Sequence, residues 1–407
     1  MFRSFFPMPK VFFGSAVIWT AICFLIWFTA GPALQSVISL DPLITPNAGD
    51  DSTPFLTNQK AWLYQYVVMG VYLFCVPWYF IQRHRWYWWS VVGSATIILM
   101  LFANVQVQAW LNDWYGDFFN LLQTALTSPG SVAPEDYWGN LIFVAYVAAP
   151  NILLIVLINF ITSHYVFRWR TAMNFYYMNF WPHLRHIEGA SQRVQEDAMR
   201  FADGVESLGV NFVYAMMTLA VFLPILWGLS QQITALPLIG EVPGSLVWVA
   251  LISASFGTVV LAAVGIKLPG LEFNNQKVEA AYRKELVYAE DHEDRAQPKT
   301  IKELYADVQK NYFKLYFHYL YFNLVRSTYN QASNFITLIA LGPSILAGAI
   351  TLGIYQQVAN AFGRVESSLQ YLVDSWPAII KLMSVYKRLR KFEAEIPKDS
   401  PLPKSPV

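Results

Sequence analysis

Eight stretches of this chain stay apolar for about the 20 residues that a helix needs to cross roughly 30 Å of hydrocarbon. They run from Val11 to about Gly31, Ala61 to about Ile81, Trp86 through Ala103 to about Trp110, Leu141 to Thr162, Val210 to Leu229, Ser245 to Ile266, roughly Tyr319 to Leu341 and roughly Ile350 to Trp376. Lipid offers no partner to a backbone N–H or C=O, so long apolar runs of this kind confine the chain to an all-α integral membrane fold. Composition agrees. Of 407 residues 55% are hydrophobic and only 14% charged, with a mean hydropathy of +0.35, whereas soluble proteins carry roughly a quarter charged residues. An aromatic content of 16% excludes a disordered chain. Pro7 and Pro9 precede a first run too long for a signal-peptide core, so an uncleaved anchor is expected.

Charge distribution sets the expected orientation. With both termini cytoplasmic, the outer segments 31–60, 113–138, 231–242 and 342–349 hold one cation, Lys60, and eight acids: Asp41, Asp50, Asp51, Asp113, Asp117, Glu135, Asp136 and Glu241. The outer face then sums to −7 and the remainder to +8, as the positive-inside rule requires. Arg83, His84 and Arg85 before Trp86, Trp88 and Trp89 read as a cytoplasmic anchor with an aromatic belt, and Lys387, Arg388, Arg390 and Lys391 place the C-terminus inside. The acidic outer face favours cationic solutes; depletion of outer cations by topology alone explains it equally well. A net charge of +1 speaks against nucleic acid as a partner. Cys23 and Cys75 sit in apolar runs and read as small buried hydrophobes.

Two long polar segments interrupt the apolar pattern. His186 to Glu206 contains no proline and good helix formers after Gly189; Gly270 to Asp294 is helical by composition and extends the sixth run. At 100° per residue, Glu272, Glu279 and Glu290 project within about 20° of one another. Glu196 and Asp203 share a face by the same arithmetic, with Glu206 about 80° away. Such columns carry protons at a cavity mouth or form solvated, salt-bridged faces among Arg193, Arg200, Lys277, Arg283 and Lys284. On the seventh run Asn323, Arg326, Ser327, Asn330 and Asn334 fall within about 100° of arc. This stripe lines a substrate cavity or bonds neighbouring helices; Arg326, which needs water or a counter-charge at membrane depth, favours the cavity.

No phosphate-binding G-x-x-x-x-G-K-[ST] loop, H-E-x-x-H zinc helix or G-x-S-x-G elbow occurs in the sequence. No cofactor, metal site or enzymatic activity is expected, and the Pro-rich end KDSPLPKSPV reads as a disordered tail.

Several long segments resemble the SbmA/BacA family of bacterial inner-membrane peptide-uptake proteins. They are FITSHYVFRWRTAMN from Phe160, LRHIEGASQRVQEDAMRFA from Leu184, VGIKLPGLEFNNQKVEAAYRKELVYAE from Val264 and KNYFKLYFHYLYFN from Lys310, together with the opening MFRSFFPMPK. The likeness implies a homodimer whose last six helices are similar to the membrane half of an ABC exporter without its ATPase, preceded by two extra helices. It also implies proton-gradient-driven import of cationic or proline-rich peptides and peptide-like antibiotics. By motif, coupling carboxylates fall at Glu196, Glu206, Glu279 and Glu290, with Glu272 added from the helical column. QRVQED and FGRVESSLQYLVDSW, from Phe362 to Trp376, carry a more distant likeness to ABC transporters that have an ATPase.

The expected organisation is therefore a cytoplasmic start and two helices over 1–85, an ABC-exporter-like unit over 86–395 and a cytoplasmic tail over 396–407. Two alternatives stay open: a membrane subunit that recruits a separate ATPase, and an accessory factor in envelope lipid modification.

Overall fold

The apolar runs fold as helices that overrun the bilayer. A computed structural model describes residues 1–39, 58–82, 84–187, 189–233, 236–237, 240, 242–292 and 297–396. Asp41, Asp50, Asp51, Arg83, Glu241 and the tail 397–407 thus lie outside the described residues. Among the described residues the regular structure is helical, with one isolated bridge between Leu236 and Gly240. The long helices are α1 Pro9–Ile38, α2 Asn58–Ile81, α3 Ser94–Thr127, α4 Pro134–Asn179 and α5 Ala198–Ser230. They continue as α6 Ser245–Gly265, α7 Leu268–Asp291, α8 Pro298–Leu346, α9 Leu352–Asp374 and α10 Trp376–Ala394. Proline opens the first turn of α1, α4, α7 and α8, where its missing N–H costs nothing. At 46 residues α4 is roughly 70 Å long, about twice a bilayer core.

Six helical stretches among the described residues are long and apolar enough to cross a membrane: Pro9–Ile38, Lys60–Ile81, Trp88–Thr127, Pro134–Asn179, Ala190–Ser230 and Ser245–Glu290. The seventh expected span is helical within α8 and the eighth is helical over α9, but neither is among the six. Their polar residues, including Arg326, Asn330, Arg364 and Glu366, dilute the hydropathy. The polar segment from His186 becomes helical only from Ala190, after Gly189 takes a φ of 73° that side chains disfavour.

The chain divides into two compact units, Met1–Val221 with Lys381–Val407, and Phe222–Ile380. In the first, the opening FRSFF segment is buried against α4. Phe5 stacks on Trp169 with centroids 5.5 Å apart, Phe6 meets the same indole edge-on at 5.3 Å, and Phe5 lies edge-on to Tyr165 at 5.2 Å. Phe201 and Phe2 close the cluster. Offset and T-shaped rings of this kind add to the burial of their area.

In the second unit α6 packs on α8 and α9, and α7 on α8. The middle of the buried face of α6 is Ala250, Ser253, Ala254 and Gly257, small residues at helical spacing that let neighbouring backbones approach. Opposite them, α9 buries Val358, Ala361, Phe362 and Val365 at i, i+3, i+4 and i+7.

Because Phe5 is fully buried, Phe5→Ala is expected to cost about 3–5 kcal/mol. Thermal unfolding of the detergent-purified protein measures this loss.

Candidate functional site

The apolar stripe of α9 does not end at Val365. Glu366 and Gln370 continue it at i+4 and i+8 from Phe362, and both are buried. One carboxylate oxygen of Glu366 accepts hydrogen bonds from Ser253 Oγ on α6 at 2.9 Å and from the Tyr329 hydroxyl on α8 at 2.6 Å. The other accepts from Ser333 Oγ on α8. Gln370 Nε2 donates to the Tyr329 hydroxyl at 2.7 Å. Three helices thus meet on one carboxylate. Gly257 makes room for it, since a Cβ there would stand 2.3 Å from the Tyr329 ring.

The stripe Asn323, Arg326, Ser327, Asn330 and Asn334 is exposed in the single chain and borders the Tyr329–Ser333 face of α8, with Arg326 at the shared edge. Arg326 reaches Asp374 at the end of α9 at 3.3 Å, with both side chains nearly half-exposed. Asn334 donates to Gln331 at 3.2 Å. The Arg326 counter-charge required by the sequence is therefore Asp374, a residue that periodicity on α8 alone did not point to.

The α7 helix is continuous, so the column of Glu272, Glu279 and Glu290 holds. Glu272 and Glu279 are half-buried and Glu290 exposed. They flank the face on which Leu268, Leu271 and Asn275 pack, where Asn275 accepts from Asn311 of α8 at 3.2 Å. Glu272 lies within electrostatic reach of Tyr319.

Glu196 and Glu206 belong to the first unit and the α7 column to the second. Glu196 pairs with Arg200 at 2.5 Å and accepts from Gln192 at 3.0 Å, an exposed contact on its own helix. Arg193–Asp197 is a single π-helical turn, so 100° arithmetic does not carry across it. Asp197 faces inward, where it holds Arg388 of α10 through two bonds of 2.9 and 2.7 Å while only 3% of its side chain is exposed. Arg170 of α4 donates to the carbonyl of Gln195 in the same turn at 3.2 Å. Glu206 is half-buried, one turn from Asp203, and within electrostatic reach of Tyr165, whose hydroxyl meets Ser94 at 2.8 Å.

Sequence reasoning missed Asp197 and Glu366. For Glu366 a signal existed: it falls on the buried stripe of α9, whose motif drew notice only as a likeness. For Asp197 one existed as well, since it stands four residues before Phe201 and shares that residue's buried helix face.

Helices of this length and hydropathy, with carboxylates seated in their seams, define a multi-pass α-helical membrane protein. Residues 83–397 match the SbmA/BacA-like family, and the chain belongs to it. It is 22% identical over 329 residues to the inner membrane ABC transporter ATP-binding protein YddA of Escherichia coli, covering 74% of this chain and 57% of that protein. An uncharacterized ABC transporter ATP-binding protein of Synechocystis sp. is 24% identical over 330 residues, covering 76% of this chain and 47% of the relative. The chain spans about half the length of these relatives.

Two outcomes follow from the packing. Removing Asp197 leaves Arg388 without its bidentate partner, so Asp197→Ala should cost about 1.5–3 kcal/mol, whereas Glu196→Ala should cost no more than about 1 kcal/mol; chemical denaturation compares them. Gly257→Ala should lower the unfolding temperature, and Tyr329→Ala in the same chain should relieve the clash, giving a strongly non-additive double-mutant cycle.

Proposed function

We propose that this chain imports peptides and peptide-like antibiotics across the bacterial inner membrane, driven by the proton gradient, as a homodimer that alternates access to a shared cavity. The observation that carries the reading is the exposed polar face of α8. A row of Asn and Ser side chains around an Arg326–Asp374 pair is costly against lipid and is accommodated by a second protomer or a water-filled cavity. Membership of the SbmA/BacA-like family supports the same assignment. Eight membrane helices, with both termini cytoplasmic, agree with the distribution of cations along the sequence.

In this reading the acidic outer segments gather cationic substrate, and the α8 stripe holds it through hydrogen bonds weak enough to release it. Glu196, Glu206, Glu272, Glu279 and Glu290 take up protons and bias closure. Each proton moving through 100 mV contributes about 2.3 kcal/mol, so one or two support roughly tenfold to thousandfold accumulation.

A second reading, a membrane subunit working with a separate ATPase, is favoured by the names of the relatives, which are ATP-binding proteins. Reconstitution of the purified protein alone in liposomes separates the two. Uptake of a labelled cationic peptide under an imposed pH gradient without nucleotide, abolished by a protonophore, supports proton coupling; uptake only with a co-purified ATPase and ATP supports the second reading. Under the first, Glu279→Gln and Glu196→Gln should each lower accumulation by about tenfold or more without changing expression or dimer formation. Wild-type uptake in either variant would remove that residue from the mechanism.

A further inference from the structure

The contacts around Glu366 continue along the α8–α9 seam as a graded series. On α9, Glu366, Gln370 and Asp374 stand at i, i+4 and i+8; on α8, Ser333, Tyr329 and Arg326 step back by four and three residues, opposite them. The rungs are Ser333–Glu366, Tyr329–Gln370 and Arg326–Asp374. The first two are buried and the last is nearly half-exposed. A polar ladder therefore runs from an accessible ion pair to a buried carboxyl group, through a stretch otherwise packed with apolar and small side chains.

The chemistry of the inner end is specific. Its three partners are hydroxyls, none of which carries a charge. A buried carboxylate held by guanidinium or ammonium groups is satisfied only when ionised, because those groups donate and never accept. Hydroxyls do both. When Glu366 is ionised, all three donate to it. When it takes a proton, its own O–H needs an acceptor, and Tyr329 can supply one by turning its hydrogen to the backbone carbonyl of Ser253 at 3.0 Å. Neither state strands a buried polar atom.

Few other charges face the group. The α6 sequence has no ionisable side chain besides its hydroxyls; α8 brings Tyr329, with Arg326 paired to Asp374. On α9, Arg364 lies two residues away and about 200° round the helix, and Tyr371 and Asp374 follow.

We propose that Glu366 is a further proton-binding residue of the transport cycle, reached through the Arg326–Asp374 and Tyr329–Gln370 rungs, with Tyr329, Ser253 and Ser333 as positioning residues. The step is the addition of one proton from water to a carboxylate oxygen, and its later release. Protonation removes the charge from three charge-assisted bonds and so loosens the grip of α9 on α6 and α8. This role rests on the proton-coupled reading above and adds to it a carboxylate in the helix seam.

Glu366→Gln keeps the shape and the carbonyl acceptor but cannot exchange a proton. In proteoliposomes, accumulation of labelled cationic peptide driven by a pH gradient should fall by about tenfold or more in this variant. The infrared difference spectrum on a pH jump should lose a protonated-carboxyl C=O band. Should this variant fail to fold, Tyr329→Phe, which retains the carboxyl group, should displace the pH midpoint of uptake. Gradient-driven accumulation at the wild-type level in Glu366→Gln, or an unmoved midpoint in Tyr329→Phe, overturns the role of Glu366 and leaves the proposed function standing. A wild-type protein that shows no response to the pH gradient overturns both.

Discussion

A bilayer supplies no hydrogen bonds, so every polar group carried into it must find its partner within the protein. The seam of the second unit meets the same requirement by burial, which takes water away as a partner. Ser253, Tyr329, Ser333, Glu366 and Gln370 would each be costly alone, yet together they satisfy one another across α6, α8 and α9. The meeting depends on close approach. Gly257 leaves the Tyr329 ring in space that any side chain would fill, and Ala250 and Ala254 keep the same face of α6 shallow. Small residues and polar residues are thus two halves of one device, in which the first bring helices near enough for the second to bond.

The first unit is held by different means. Its opening residues turn back into an aromatic cluster centred on Trp169, and its last helix is tied in by Asp197 and Arg388. The contrast between Glu196 and Asp197 is instructive, because neighbouring acids with the same intrinsic chemistry end in opposite surroundings. Glu196 meets Arg200 on an exposed surface, where ion pairs are worth little; Asp197 is buried, and its loss would leave a cation without a counter-charge. Neighbouring positions on a helix point about 100° apart, which turns Asp197 to the buried face it shares with Phe201 and leaves Glu196 outside.

How much was legible follows from the range of each signal. Apolar runs near the bilayer length led directly to α1 through α6, since hydropathy is summed over many residues and survives local error. The carboxylate column on α7 and the polar face of α8 were legible because both helices are unbroken and 3.6-residue arithmetic holds along them. The same arithmetic assumes an α-helix and so does not carry across the π turn at Arg193–Asp197. On α9 it would have placed Glu366 among Phe362, Val365 and Gln370, but a lone acid on an apolar stripe carries no sign of its partners.

The sequence by itself determined that this chain is helical and membrane-bound, which family it belongs to and which carboxylates share a helix face. Those are properties of residue order within single helices, or of motif identity. Only the tertiary structure decided that Glu366 is caged by hydroxyls, that Arg326 answers Asp374 and that Asp197 is buried on Arg388. Each of these joins residues from different helices, 33 to 191 positions apart. Such pairings depend on how helix faces pack against one another, which no window along the chain contains.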